Sequence, residues 1–159
     1  MAKKHAIVER QLTDAEFVGT KRVAILIDED MDNGCVVKLK GLKDGEMNLY
    51  EVEPVAKDTP LDEVFLVASP EVMKDERLNK SLDDFYNIQG TTGNAERLIK
   101  GNIFGLTAEA FAGTPQDGKL VELEAGKRKL KVVDQATAST TTVGKIIDFK
   151  RGYYGVQIG

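Results

Sequence analysis

The sequence predicts a mainly β (α+β) fold, namely a small β-barrel or sandwich of short antiparallel strands with one or two short helices in the middle of the chain. Short apolar segments recur at intervals of roughly 8–12 residues, the spacing typical of such folds. Gly stands at nearly every reversal, where a tight turn needs a positive φ. The 159 residues include one His and one Cys, so side chains suited to proton transfer or nucleophilic attack are scarce.

Four strands are predicted in the first half of the chain. Residues 21–28 carry a continuous apolar run at their centre, as expected of a buried strand. Asp32-Asn33-Gly34 is predicted to form a tight hairpin turn into a second strand at residues 35–39. Apolar and β-branched residues predict two further strands, around residues 49–55 and 64–68.

The middle of the chain has the best helical pattern. A short helix is predicted near residues 78–86, with Asn79 or Ser81 capping its start. Its apolar stripe consists of Leu78, Leu82, Phe85 and Tyr86. Residues 94–100 are interpreted as one further helical turn.

The last third returns to strands separated by turns. Strands are predicted at residues 103–106, 120–123, 130–133, 143–149 and 153–158. Each is short, and the turns between them contain Gly or small polar residues.

The domain organisation follows from these patterns. Residues 1–20 lack a sustained period and are predicted to be an N-terminal arm that is ordered only against a partner surface. Residues 21–89 are assigned to a β-rich lobe and residues 90–159 to a β-barrel-like lobe, with Gly90-Thr91-Thr92-Gly93 as the hinge. One compact domain over residues 21–159 is the alternative, because a chain of this length can bury a single core.

Composition restricts the class of partner. The formal net charge is −4 with both signs mixed along the chain, which argues against a basic face for nucleic acid. The longest apolar runs, residues 23–27 and 64–68, are too short to span a bilayer. No apolar signal core follows the N-terminal lysines. We therefore expect synthesis and folding in the cytosol, with neither nucleic acid nor membrane as a partner.

One glycine-rich stretch resembles a phosphate-binding loop. Residues 113–120 match the G-x-x-x-x-G-K pattern, but Leu120 stands where that loop needs Ser or Thr. The following residues alternate like a strand, whereas the loop requires a helix. We interpret the stretch as an ordinary turn and expect no nucleotide cofactor.

An acidic segment resembles part of a calcium loop. Asp28, Asp30 and Asp32 occupy its first, third and fifth positions, but Asn33 replaces the required Gly and Leu39 the bidentate Glu. The segment is interpreted as a solvated hairpin end. The three aspartates remain candidates for a loosely held cation.

A basic run and two isolated reactive residues complete the candidate groups. Residues 127–131 hold four cations and are interpreted as a turn and a strand with Lys129 and Lys131 facing solvent; an acidic protein partner is the alternative. His5 lies in the predicted arm, and Cys35 is interpreted as a small buried thiol. We expect no catalytic residue.

Three stretches in the last 60 residues carry a family resemblance. They are Gly101-Asn102-Ile103-Phe104-Gly105-Leu106-Thr107, Asp117-Gly118-Lys119-Leu120-Val121 and Thr142-Val143-Gly144-Lys145-Ile146. Their order resembles the head decoration (cement) proteins of tailed bacteriophages, which share a β-tulip-like barrel. In that family a strand of the first kind leads to a D-G-K hairpin, and a later glycine-containing strand closes the unit.

The resemblance implies a non-enzymatic virion protein, without a cofactor, that binds the exterior of an assembled capsid shell after synthesis in the host cytoplasm. Its expected partners are the capsid protein, copies of itself, or both. Deletion of residues 1–20 is then expected to leave a folded domain that no longer attaches. The residues predicted to make contact are Ile7, Val8, Leu12, Phe17 and Val18 in the arm and Tyr153 and Tyr154 near the C-terminal end.

Three alternatives stay open. The tyrosines fit equally well with one ring in the core and one in solvent. The chain also fits a small carboxylate-based or metal-assisted enzyme, or a ligand-binding β-barrel, if distant acidic side chains converge. A phage tail-tube subunit or another head subunit is the third possibility.

Overall fold

The computed structural model describes residues 3–14, 22–73, 77 and 81–159, and it confirms the mainly β class. The strands are β1 Val8–Asp14, β2 Arg22–Leu26, β3 Val36–Leu42, β4 Leu49–Glu53, β5 Val64–Val67, β6 Thr92–Arg97, β7 Ile103–Leu106, β8 Phe111–Ala112, β9 Leu120–Glu122, β10 Leu130–Val133, β11 Thr142–Lys150 and β12 Tyr153–Ile158. Short 3-10 turns lie at Leu61–Glu63, Leu82–Asp84 and Ala108–Ala110.

The strands form two sheets. Five of them close into a barrel in the order β2-β4-β3-β5-β6, and the other seven form a sheet in the order β1-β7-β12-β11-β9-β10-β8. Most neighbouring strands are antiparallel, but β2 pairs with β4, and β8 with β10, in parallel. The predicted short strands are therefore present in a mixed arrangement.

Strand β5 joins the two hydrophobic cores. Phe65 and Val67 point into the barrel, whereas Val64 and Leu66 pack against the seven-stranded sheet. All four residues are buried. Because side chains alternate along a strand, burial of both faces requires the continuous apolar run that made this strand predictable.

The barrel is filled by its own side chains. Its interior cluster consists of Ile25, Ile27, Met31, Cys35, Val37, Val52, Phe65, Val67 and Ala95. Small barrels are commonly filled in this way, and the filling fixes the strands relative to one another.

The turn at Asp32-Asn33-Gly34 is not the predicted hairpin. Strand β2 pairs with β4 and β6, while β3 pairs with β4 and β5. Asp32 and Asn33 are buried, whereas Asp28, Glu29 and Asp30 are exposed, so only the first half of the acidic segment is solvated as predicted. Asn33 is held by hydrogen bonds that join its side-chain amide to the backbone of Ser69. The turn therefore connects non-neighbouring strands across the barrel.

The predicted helix near residues 78–86 is replaced by the single 3-10 turn Leu82–Asp84, and residues 78–80 lie outside the described part. The Asp84 carboxylate accepts a hydrogen bond from the Ser81 backbone N–H, as a helix start requires. Phe85 is already extended and buried. Asn87 then pairs with Met31, so tertiary pairing overrides the local helical preference.

The middle and the N-terminal region also differ from prediction. Residues 94–100 do not form a helical turn, because β6 lies there and closes the barrel against β2 and β5. The chain therefore passes from the barrel to the other sheet after β6, beyond the expected hinge at residue 90.

At the N-terminal end, β1 pairs with β7 of the same chain. Ala6 and Val8 are buried in the core between the two sheets.

Candidate functional site

The three aspartates of the acidic segment bind three different partners. Asp28 pairs with Arg128, Asp30 accepts a hydrogen bond from the Gln89 backbone N–H, and Asp32 contacts His5. The structure thus does not bring the three carboxylates together. Within the described part of the chain, no group of three or more His, Cys, Asp or Glu side chains is placed to hold a metal ion.

Arg128, from the basic run, ties the acidic segment to the seven-stranded sheet. Its Nη2 lies 2.6 Å from Asp28 Oδ2. Its Nε lies 2.8 Å from Glu29 Oε1, within ion-pair distance although the N–H is not directed at that oxygen. The side chain is only 10% exposed, and its backbone carbonyl accepts a hydrogen bond from the Val36 N–H. Arg128 is therefore a structural link between the acidic segment and the seven-stranded sheet. The sequence analysis, which placed Lys129 and Lys131 in solvent, gave Arg128 no such role.

Replacing Arg128 with Met is expected to lower the free energy of unfolding by about 1–2 kcal/mol, because the variant lacks the largely buried guanidinium and two partly exposed carboxylates lose their partner. Urea denaturation followed by circular dichroism measures the change. Lys127→Met, at an exposed neighbour, is the matched control and should stay within about 0.5 kcal/mol of the parent. Equal effects of the two changes would contradict the assigned role of Arg128.

His5 and Asp32 form a part-buried polar contact of the acidic segment. His5 Nδ1 lies 2.5 Å from Asp32 Oδ1, and Asp32 Oδ2 accepts a hydrogen bond from the Ala6 N–H at 3.1 Å. The imidazole stacks on Tyr86 with the ring centroids 4.8 Å apart. A carboxylate that orients an imidazole is also found beside catalytic bases. Here both carboxylate oxygens fasten the N-terminal segment to the barrel.

Cys35, the one cysteine of the sequence, follows Asp32 closely and is a poor nucleophile. Burial, followed by the negative charge of Asp32, raises the pKa of the Cys35 thiol to about 11. A thiol must ionise to attack or to bind a metal. At neutral pH, Cys35 is therefore an apolar core residue, as the sequence predicted.

Cys35 is expected to react with a disulfide reagent at pH 8 only after unfolding. Its raised folded-state pKa stabilises the fold below the unfolded pKa of 9.0, and this contribution is lost as the pH rises toward about 11. The absorbance of the thiolate that the reagent releases, recorded with and without denaturant, measures the reactivity of Cys35. Fast labelling of the native chain would show that the thiol is accessible.

An exposed aromatic surface lies at the β11–β12 end of the molecule, and we define it by Phe149 and Tyr154. Their ring centroids are 4.4 Å apart, and Phe149 is 51% exposed. Tyr154 also meets the buried ring of Phe111 edge-on at 6.0 Å. The aromatic surface is therefore a rigid extension of the core, since each ring is supported by the one below it.

A β-bulge places Phe149 on this surface. The β11–β12 register shifts between Ile146 and Asp148, so that Phe149 faces Tyr154 across the strands. An extra residue reverses the alternation of side chains. Phe149 consequently lies on the same sheet face as buried Ile146, beyond the region that the barrel covers.

The predicted contact residues have separate locations. Tyr154 belongs to the aromatic surface, and Tyr153, on the adjacent residue of β12, is half-buried. Val8 packs inside the chain's own core and Ile7 is half-buried beside Thr107. Leu12 lies in β1, at one end of the seven-stranded sheet. Phe17 and Val18 lie outside the described residues.

The aromatic surface opens into a groove of about 270 Å³. Its lining includes Ile7, Thr107, Asp83 and Glu109. The Ser81 hydroxyl donates a hydrogen bond to the Asp83 carboxylate and lowers the pKa of that group, so Asp83 is charged at neutral pH. The sequence analysis did not find this groove, because its lining comes from separate segments of the chain, at residues 4–7, 83, 107–109 and 149–154.

Comparisons with known proteins add no family. No protein-family model matches the chain, and no curated protein matches it. Across the described residues, no helix has the length and apolar character required to cross a membrane.

Proposed function

We propose that this chain is a non-enzymatic structural protein of a virion, which decorates and stabilises a capsid by binding the exterior of the assembled shell. The observation that carries the proposal is the aromatic surface of Phe149 and Tyr154, which the core holds rigid while leaving it partly exposed. Rigid, exposed aromatic side chains are typical of contact surfaces, because little conformational freedom is lost when a partner covers them.

The edge of the seven-stranded sheet offers a second contact. β1 is the terminal strand of that sheet and pairs with β7 on one side. An edge strand can accept a strand from a partner through backbone hydrogen bonds. We therefore assign contact with the shell to the β1 edge, including Leu12, and to the following segment with Phe17 and Val18.

Repetition on a lattice makes such modest surfaces sufficient. A decoration protein meets several neighbouring subunits of one shell, so its separate contacts act together. Neither a deep pocket nor a cofactor is needed for this function. The resemblance of residues 101–107, 117–121 and 142–146 to tailed-phage decoration proteins supports the same assignment. The capsid protein, copies of this chain, or both are the proposed partners, and the virion exterior is the proposed location.

The competing enzyme hypothesis has less support from the geometry. A metal-assisted or carboxylate-based reaction would need Asp28, Asp30 and Asp32 to converge, whereas each of them engages a different partner. A thermal-shift screen with Ca²⁺, Mg²⁺, Mn²⁺ and nucleotides tests that hypothesis, since a ligand of the folded state raises the melting temperature. A saturable shift abolished by Asp30→Asn would favour the enzyme.

Cosedimentation tests the proposed function. The purified full chain is mixed with empty tailed-phage heads from the cells that make it and centrifuged through a sucrose cushion. We expect saturable pelleting with the heads, at a fixed ratio to the capsid protein. Tail tubes from the same cells are the comparison, because selective pelleting with tubes would favour the tail-subunit alternative. A chain that stays in the supernatant with both would contradict a virion role.

A further inference from the structure

Residues of both charge signs lie at the groove beside Phe149. Asp83 and Glu109 line it, and so does Lys4, which interacts with Asp83. Gly152, at the β11–β12 hairpin tip, also lines the groove; before it in the chain come exposed Arg151 and Lys150, which pairs with Asp148 at 3.7 Å. His5 is a further lining residue but is engaged by Asp32. The lining is thus acidic on balance, and the hairpin tip is basic on balance.

The backbone at the hairpin tip, which carries Arg151, forms a tight turn. Arg151 and Gly152 form the two-residue turn between paired Lys150 and Tyr153, and both have a positive φ, 54° and 86°. This is the backbone that the tight type I′ hairpin turn requires. The exposed Arg151 directly precedes Gly152, which lines the groove together with Phe149 and Tyr154.

We propose that the aromatic groove is a self-association site that takes the same face of a second copy of this chain. A two-fold interface must be complementary to itself. Around a two-fold axis near Phe149, the aromatic rings meet their own copies, the Arg151 tip of each chain meets Glu109 and Asp83 of the other, and an exposed apolar surface is removed from water. The inference rests on the proposed function: it assigns the aromatic surface to contact between copies of this chain and leaves the β1 edge to contact the shell.

Analytical ultracentrifugation of the full chain tests this assignment. The parent should sediment as a dimer, twice its 17.4 kDa mass, over part of the range from about 1 to 100 μM. Phe149→Ser should weaken dimerisation at least about tenfold. Leu42→Ser is the matched control, because Leu42 is similarly exposed, at 48%, but lies on barrel strand β3, and it should leave the dimer intact.

Charge-reversal variants distinguish specific dimerisation through the groove from non-specific association. Arg151→Glu and Glu109→Arg should each weaken the dimer, and the double variant should restore it, because both ion pairs then form again with reversed sign. Circular dichroism melting checks that each variant is folded. A monomeric parent, or a Phe149→Ser variant that dimerises like the parent, would overturn the assignment. Failure of the double variant to recover would overturn the two-fold pairing of Arg151 with Glu109.

The two proposals fail in different ways. A parent that is monomeric but pellets with phage heads overturns self-association and leaves shell binding in place. A dimer that binds no head or tube overturns the virion role and leaves the groove assignment standing.

Discussion

A chain without residues 1–8 is expected to lose about 4 kcal/mol or more of its free energy of unfolding. Val8 and Ala6 are buried between the two sheets, and burying one Val side chain alone contributes about 1.5–3 kcal/mol. Truncation also removes both groups that bind the Asp32 carboxylate, and hydrogen bonds to a charged group contribute about 1.5–3 kcal/mol each. Denaturation by urea, followed by circular dichroism, measures the loss.

A shorter truncation is the control for this result. Removing residues 1–3 keeps His5 and every buried N-terminal residue, so its unfolding midpoint should match that of the full chain. The sequence alone predicted that deletion of residues 1–20 leaves a folded domain that no longer attaches, whereas Ala6 and Val8 lie in the core and β1 pairs with β7. If the chain without residues 1–8 unfolded at the parental urea concentration, the packing of the N-terminal segment would be contradicted.

Gly144→Ala is expected to destabilise the protein by about 3 kcal/mol, because strand β11 has no space for a methyl group at that position. An added Cβ would lie 2.2 Å from the Gln157 carbonyl oxygen and 3.2 Å from Ile158 Cα. Both atoms belong to the backbone of paired strand β12, so no side-chain rotation can relieve the overlap. Differential scanning calorimetry should show a large fall in melting temperature.

Gly155 provides the matched control in the adjacent strand. An added Cβ there would meet Ile103 Cγ2 at 3.7 Å and Ile147 Cγ1 at 3.8 Å, which are ordinary van der Waals contacts. Gly155→Ala should therefore stay within about 1 kcal/mol of the parent. Similar melting temperatures for the two variants would mean that the close approach of β11 and β12 at Gly144 is not present in solution.

Local patterns predicted the strands because the buried faces of a strand require apolar residues at the matching positions of the sequence. The run Val64-Phe65-Leu66-Val67 is continuously apolar since both of its faces are buried. The hairpin between β11 and β12 was predictable from the Gly at its turn. The prediction of a short helix was wrong, because the Met31–Asn87 bridge, between residues distant in sequence, keeps the chain extended after Asp84.

The site was harder to predict, because its parts come together only through tertiary structure. Ile7 meets Thr107 across 100 positions of sequence, and Arg128 reaches Asp28 over the same separation. The sequence analysis singled out Tyr153 and Tyr154, but the ring that forms the aromatic surface with Tyr154 is Phe149, whose direction depends on a bulge. A one-residue shift in a strand moves a side chain to the other face, and composition does not encode that shift.

Cryo-electron microscopy of phage heads from cells that make this chain tests most directly whether the protein acts by docking onto a shell. Our account predicts density of the barrel-and-sheet shape at symmetry-related positions on the outer surface of the capsid. The same density should be absent from heads made when the gene for this chain is deleted. Identical maps from the two preparations would contradict the proposal that the protein decorates a capsid.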